Sequence, residues 1–446
     1  MKLRGLIVAG VILAALTGAL YWSNKHPEAD KAKTPADAES EAGPTIFSLK
    51  EADIAKFDLK RKGAPEVSLQ RDGSGKWQMT APQPLPVDQS AVISLLGTFS
   101  TFNSQRVVEQ KATNLDQYGL SAPAFEIDMT EKSGKTHQFF LGDEAPTGNS
   151  LYARIDDSPE IYLVASFQRT SIDKTPNDLR DKRLLTASPE KISQVELLGK
   201  KENIVFGRSK DEWQILKPVP ARADDYAVDQ LVRKLAQAQM DLSGTDADPS
   251  KTTAAFSAGS PVVVAKITDP SGTQQLEIRK NKDTYYAKSS DVVGGYKIAS
   301  DLPESLDKDV DTFRNKKLFD FGFDDPDKIE IQSGDKKYFL TKGGEDWWGA
   351  DGKKLDPDTA DTLLSAVRDL SATKFVTNGF TTATIQIVVT SGKGKRVEKV
   401  SIAKSGEDYI AKREGDTALY WIDDEPIKAL QTAADGLKPA AATPAK

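Results

Sequence analysis

What this chain can fold into is bounded first by a repeat, because copies of one unit must each bury the same apolar positions. Trp77, Trp213 and Trp348 recur at a spacing of about 135 residues. The segments Arg180-Asp181-Lys182-Arg183-Leu184-Leu185 and Arg314-Asn315-Lys316-Lys317-Leu318-Phe319 recur at nearly the same spacing, and each closes one copy. Tyr152-Ala153-Arg154, Tyr286-Ala287-Lys288 and Tyr409-Ile410-Ala411-Lys412 fall late in each copy, the third being somewhat shorter. The order of markers is the same throughout. The expected units are 46–185, 186–319 and 320–438.

Inside each unit alternating apolar residues predict strands, as in Ile54 to Leu59 and Glu66 to Gln70, followed by the Trp strand. An amphipathic helix comes next, over Val87 to Thr101, Asp225 to Ala238 and Pro357 to Leu370, with one apolar stripe each. Further strands follow, with turns at Lys132 to Lys135, Asp269 to Gly272 and Ser391 to Gly394, where glycine supplies the backbone freedom a tight turn needs. One helix per mainly antiparallel sheet makes the fold class α+β. Asp225 and Asp356 are expected at helix starts, accepting free backbone N–H groups.

Residues 5–22 carry no charge and follow Lys2 and Arg4. At 1.5 Å per residue such a stretch spans about 27 Å, close to the hydrocarbon thickness of a bilayer. The reading is a transmembrane signal-anchor with 1–4 cytoplasmic, Tyr21 and Trp22 at the headgroup boundary, and the remainder periplasmic or extracytoplasmic. The expected location is therefore the inner (cytoplasmic) membrane, crossed once. A signal peptide cut after Ala19 is the competing reading. Residues 23–45 read as a flexible linker and 439–446 as a disordered tail.

Composition narrows the chemistry. With 60 basic and 66 acidic residues there is no cationic surplus for nucleic acid. The absence of cysteine removes disulfides, thiolate metal sites and cysteine nucleophiles, and only His26 and His137 are available as imidazoles. No catalytic constellation, metal site or cofactor motif is expected. Paired carboxylates at Asp224-Asp225, Asp324-Asp325 and Asp423-Asp424-Glu425 lack calcium-loop spacing. Leu141-Gly142-Asp143 and Gly294-Gly295 read as turns between strands, unlike a phosphate loop.

The remaining candidates are partner or ligand contacts. Trp347 and Trp348 must point to opposite strand faces, so one of them is the more exposed aromatic and a candidate stacking surface for sugar or peptide. Against that, a Trp on a short strand covers the end of a core. Arg180, Lys182, Arg183, Arg314, Lys316 and Lys317 form basic clusters that would suit an acidic partner or lipid headgroups, while nearby Asp178, Asp181 and Asp311 offer solvated ion pairs instead.

The chain also resembles the bacterial membrane-anchored family called domain of unknown function 4340. The resemblance is carried by Lys76-Trp77-Gln78-Met79-Thr80-Ala81-Pro82, Leu115-Asp116-Gln117-Tyr118-Gly119-Leu120-Ser121-Ala122-Pro123, Phe140-Leu141-Gly142-Asp143, Leu151-Tyr152-Ala153-Arg154 and the run from Asp178 to Leu184. The third unit lacks the Tyr-Gly-Leu and Leu-Gly-Asp phrases. The resemblance implies an envelope protein linked with auxiliary parts of an ABC-type transport system, and it supplies no catalytic residues. The expected function is a non-enzymatic, membrane-tethered accessory or scaffold protein with a protein partner in the envelope. The alternative is an envelope glycan- or peptide-binding protein, or a hydrolase, with a cleft between units.

Overall fold

The computed structural model describes residues 43–146, 148–210, 212–243, 248–321 and 326–441. The expected anchor over 5–22, most of the linker, Asp324-Asp325 and the end of the tail lie outside the described residues. Among the described residues no helix is long and apolar enough to cross a membrane.

Three antiparallel sheets share one order over their central strands and differ at their edges. In the first, the strands run Leu85–Pro86, Trp77–Ala81, Val67–Arg71, Ile54–Arg61, Phe125–Glu131, Thr136–Glu144, Ser150–Ile155, Ile161–Ala165 and Arg106–Glu109 from edge to edge. The opening strand of the first meander thus sits beside the opening strand of the second, pairing Phe57 with Met129 and Leu59 with Ile127. The second sheet places Gln194–Gly199 beside Ser260–Asp269, and the third places Lys328–Ser333 beside Ile385–Ser391, in the same relation. The class is α+β.

The helix between the two meanders is set by local chemistry. It spans Gln89–Gly97, Asp225–Ala236 and Pro357–Arg368, a few residues shorter at one or both ends than the apolar spacing alone predicts. The carboxylates of Asp88, Asp224 and Asp356 accept backbone N–H groups of the first turn. Asp225 is therefore not the cap; Asp224 takes that place one residue earlier, and Asp225 turns to another partner. Val92, Leu95 and Leu96 face the first core; Val228, Leu231, Val232 and Leu235 the second; Leu363, Leu364 and Val367 the third. Each such side chain contributes about 1.5–3 kcal/mol when fully buried. Phe99, inside the helical span predicted from spacing, lies past the helix end yet is fully buried, stacked on Phe102 at 5.7 Å between ring centroids.

The chain divides into two compact units, Met1–Asp181 and Lys182–Lys446. The first holds the first sheet; the second holds the other two, each with its own apolar core. Leu184 and Leu185 belong to the core of the second sheet, and Leu318 and Phe319 to that of the third. The seams between copies thus fall inside the basic segments rather than after them, because the apolar pair that ends each segment is buried forward.

Candidate functional site

The recurrent tryptophan is a core residue. Trp77, Trp213 and Trp347 are 1%, 2% and 5% exposed, whereas Trp348 is 36% exposed. The third marker of the repeat is accordingly Trp347, one residue earlier than the spacing of Trp348 suggests, since only Trp347 lies on the inward face of Asp346–Gly349. Each buried indole faces a cation on the neighbouring strand: Arg71 over Trp77 at 4.4 Å, Arg208 over Trp213 at 5.4 Å and Lys342 over Trp347 at 5.7 Å. Carboxylates take the indole N–H of the first two, Glu51 at 3.0 Å and Asp229 at 2.8 Å. Trp348 lies on the opposite face, its ring over Gly343, where a Cβ would meet the indole nitrogen at 2.8 Å.

The phrases Tyr118-Gly119-Leu120 and Leu141-Gly142-Asp143 explain each other. Gly142 is not in a turn; it lies within Thr136–Glu144, and a Cβ there would meet the Tyr118 carbonyl at 2.1 Å. Gly119, at φ +67°, would in turn drive a Cβ into the Asp143 carboxylate. Gly142 lets two backbones touch and Gly119 leaves room for the Asp143 side chain, which together seat Tyr118 and Leu120 against Ile161 in a small satellite core. His137 is buried in the same strand and bonds Glu131 at 2.8 Å, lowering that carboxyl below its usual range.

The basic segments are seats for backbone pairing. In the first unit Arg180 bridges Val87, the Leu179 carbonyl accepts the Asp88 N–H, and the Asp181 N–H donates to the Pro86 carbonyl. In the second unit Arg314, Phe313 and Asn315 repeat these bonds on Ala223, Asp224 and Arg222. The second half of each segment pairs just past a helix end: Arg183 with Gln239, and Lys317 with Ser371. Cations there complement the negative end of the helix dipole. Arg314 also lies over Phe375 at 3.7 Å and pairs with Asp311 at 3.0 Å.

Arg314, Lys316 and Lys317 converge on a cleft of about 610 Å³ within the second unit; Arg180, Lys182, Arg183, Trp347 and Trp348 are not part of its lining. Its other wall carries Glu212, Asp225 and the 75% exposed Tyr226. Asp225 accepts the Trp213 backbone N–H, and desolvation raises its carboxyl above the usual range. At one end of the cleft Arg222 meets Asp320, part of a network that sequence spacing could not reveal because its members come from three distant stretches. Arg413 pairs with Glu398 at 2.6 Å, both nearly buried, and Arg396 and Arg413 approach Asp320 at 3.4 and 3.7 Å. Among the described residues no group of three or more potential ligands could hold a metal ion.

No curated protein matches this sequence. A solved structure of the DNA polymerase III subunit beta from Pseudomonas aeruginosa overlaps 84% of this chain and 94% of its own at 7% identity, with a TM-score of 0.13, which carries no argument about fold or function. The family described as Domain of unknown function (DUF4340) matches residues 77–217 and again 213–386, meeting at the strand that carries Trp213. Two matches in tandem across the first and second sheets and into the third, on the same recurrent tryptophan strand, mean that this chain belongs to that family.

Proposed function

We propose that the chain is a non-enzymatic scaffold of the cell envelope, tethered to the inner membrane by residues 5–22, with three related α+β units carried outside the cytoplasm. One observation carries this reading: the basic segments are bonded through their backbones as repeated joints, so the chemistry that recurs from copy to copy is that of assembly. The exposed cations Lys316 and Lys317 then remain for a protein partner, and transporter components are the class the family resemblance suggests. A photo-crosslinking residue at Lys316 in intact cells should trap an inner-membrane protein that the same residue at Lys201 does not. Equal trapping at both positions, or none above background, removes the scaffold reading. Retention of the N-terminus in the membrane fraction tests the anchor separately.

The second reading, a glycan- or peptide-binding protein, draws on the half-exposed Trp348 and the cleft beside Tyr226. Trp348→Ala and Tyr226→Ala should then each abolish retention on immobilised peptidoglycan without lowering the melting temperature. Binding left intact in both variants rules that reading out.

A further inference from the structure

The strand position occupied by Arg222 has a backbone task that any residue can perform. Its carbonyl accepts the Asn315 N–H, just as the Pro86 carbonyl accepts from Asp181 and the Lys354 carbonyl from Ala440. Proline does this in the first sheet with no side-chain donor at all. The guanidinium at 222 is therefore surplus to the repeat, yet it is largely withdrawn from solvent, with 24% of the side chain exposed. It leaves the edge of the second sheet and reaches four groups belonging to the third sheet and its entry segment. These are the Asp320 carboxylate, the Lys317 carbonyl, the Tyr420 hydroxyl at 3.2 Å and the Asp416 carboxylate at 3.8 Å.

The receiving side is held in place independently. The Asp320 backbone N–H donates to Glu398 at 3.2 Å, the Asn315 amide donates to Asp320 at 3.0 Å, and the Tyr420 hydroxyl donates to Asp416. Tyr420 itself is 1% exposed and packed in the third core. A planar, permanently charged fork fitted to carboxylate, carbonyl and phenol at once fixes orientation as well as distance.

We propose that Arg222 is the arm of an ionic lock that joins the second and third sheets into one rigid body and sets the width of the cleft between them. The proposal does not depend on the scaffold reading. A chain without cysteine allows labels at any chosen pair. Spin labels at Gln230→Cys and Asp361→Cys, on the exposed faces of the two helices, report the separation in the purified full-length protein. The otherwise native protein should give a single narrow distance. Arg222→Ala and Asp320→Asn should each lose it for a broad distribution, while Arg222→Lys, which keeps charge but not the fork, should fall between them. Lys201→Ala, which breaks the exposed pair with Asp309 between connecting segments, should leave the distance narrow. Far-UV circular dichroism identifies any variant that has failed to fold, and Asp320→Asn or Arg222→Lys then carries the test. A narrow, unshifted distance in folded Arg222→Ala or Asp320→Asn, or equal broadening in Lys201→Ala, would overturn the lock.

Discussion

The tryptophan sites of the first and second sheets solve one packing problem with different charges. Gln89 accepts the Trp77 backbone N–H at 2.9 Å and donates back to the Trp77 carbonyl at 2.8 Å. Asp225, at the corresponding helix position, can accept from Trp213 but has no proton to donate at neutral pH. The indole N–H goes to Glu51, before the first strand, in one sheet and to Asp229, on the helix, in the other. What is repeated is the position of the buried ring and the strand that presents it; the polar groups that satisfy it are local choices.

The largest effects should come from the shared part. Trp77→Ala and Trp213→Ala should each cost about 3–5 kcal/mol by removing a large buried ring. Trp348→Ala should stay within about 1 kcal/mol. Denaturant titration of all three variants checks this, and comparable losses at Trp348 and Trp213 would mean that the repeat has been aligned on the wrong ring. Close behind stands the polar network of the third sheet. Glu398→Ala leaves Arg413 buried without its nearest carboxylate and should cost about 3–5 kcal/mol, whereas removing the exposed Lys201–Asp309 pair should cost about 0–1 kcal/mol.

Smaller effects sharpen the contrast between neighbouring carboxylates. Asp224→Ala removes a helix cap and should cost about 1 kcal/mol. Asp225→Asn should instead raise the melting temperature slightly near neutral pH. Partial desolvation, with the nearby Glu212, Asp229 and Asp224 carboxylates, lifts the folded-state value of Asp225 above its unfolded value, so its contribution is fully present below the unfolded value and is lost as pH rises through the folded one. Asn keeps an acceptor for Trp213 without that charge. Asp241 shifts the other way: hydrogen bonds from Ser243 and Lys297 lower its carboxyl from 3.8 to about 2. Its stabilisation is present above the unfolded value and fades as pH falls through the folded one. Asp241→Asn should therefore lower stability at pH 7 and flatten the acid limb of a pH titration of stability, the deficit shrinking between about pH 4 and 2. A parallel loss at every pH would assign Asp241 a packing role instead.

Much of the fold was legible because its signals are local. Strand alternation, apolar helix stripes and acidic helix starts act within a few residues, so the α+β class and the three helices could be read directly. The errors have equally specific causes. Trp347 and Trp348 are adjacent, and spacing alone cannot say which faces inward; the pleat decides. Asp224 and Asp225 present the same ambiguity at a helix start. Gly142 read as a turn because glycine usually marks one, whereas its reason is the Tyr118 backbone 2.1 Å from where a Cβ would stand. Arg222 carried no signal at all, since its partners lie about 100 and 200 residues further along the chain.

The sequence by itself determined the repeated unit, its α+β class, the family and the exclusion of thiol chemistry, because each rests on residue identity or short periodicity. Tertiary structure alone decided which aromatic is core, that the basic segments serve as backbone joints, and that Arg222 closes on Asp320, Asp416 and Tyr420. Those outcomes depend on which distant side chains share a space from which water is largely excluded. There an unpaired charge is costly and a paired one is held in place, and periodicity along a chain carries no information about that pairing.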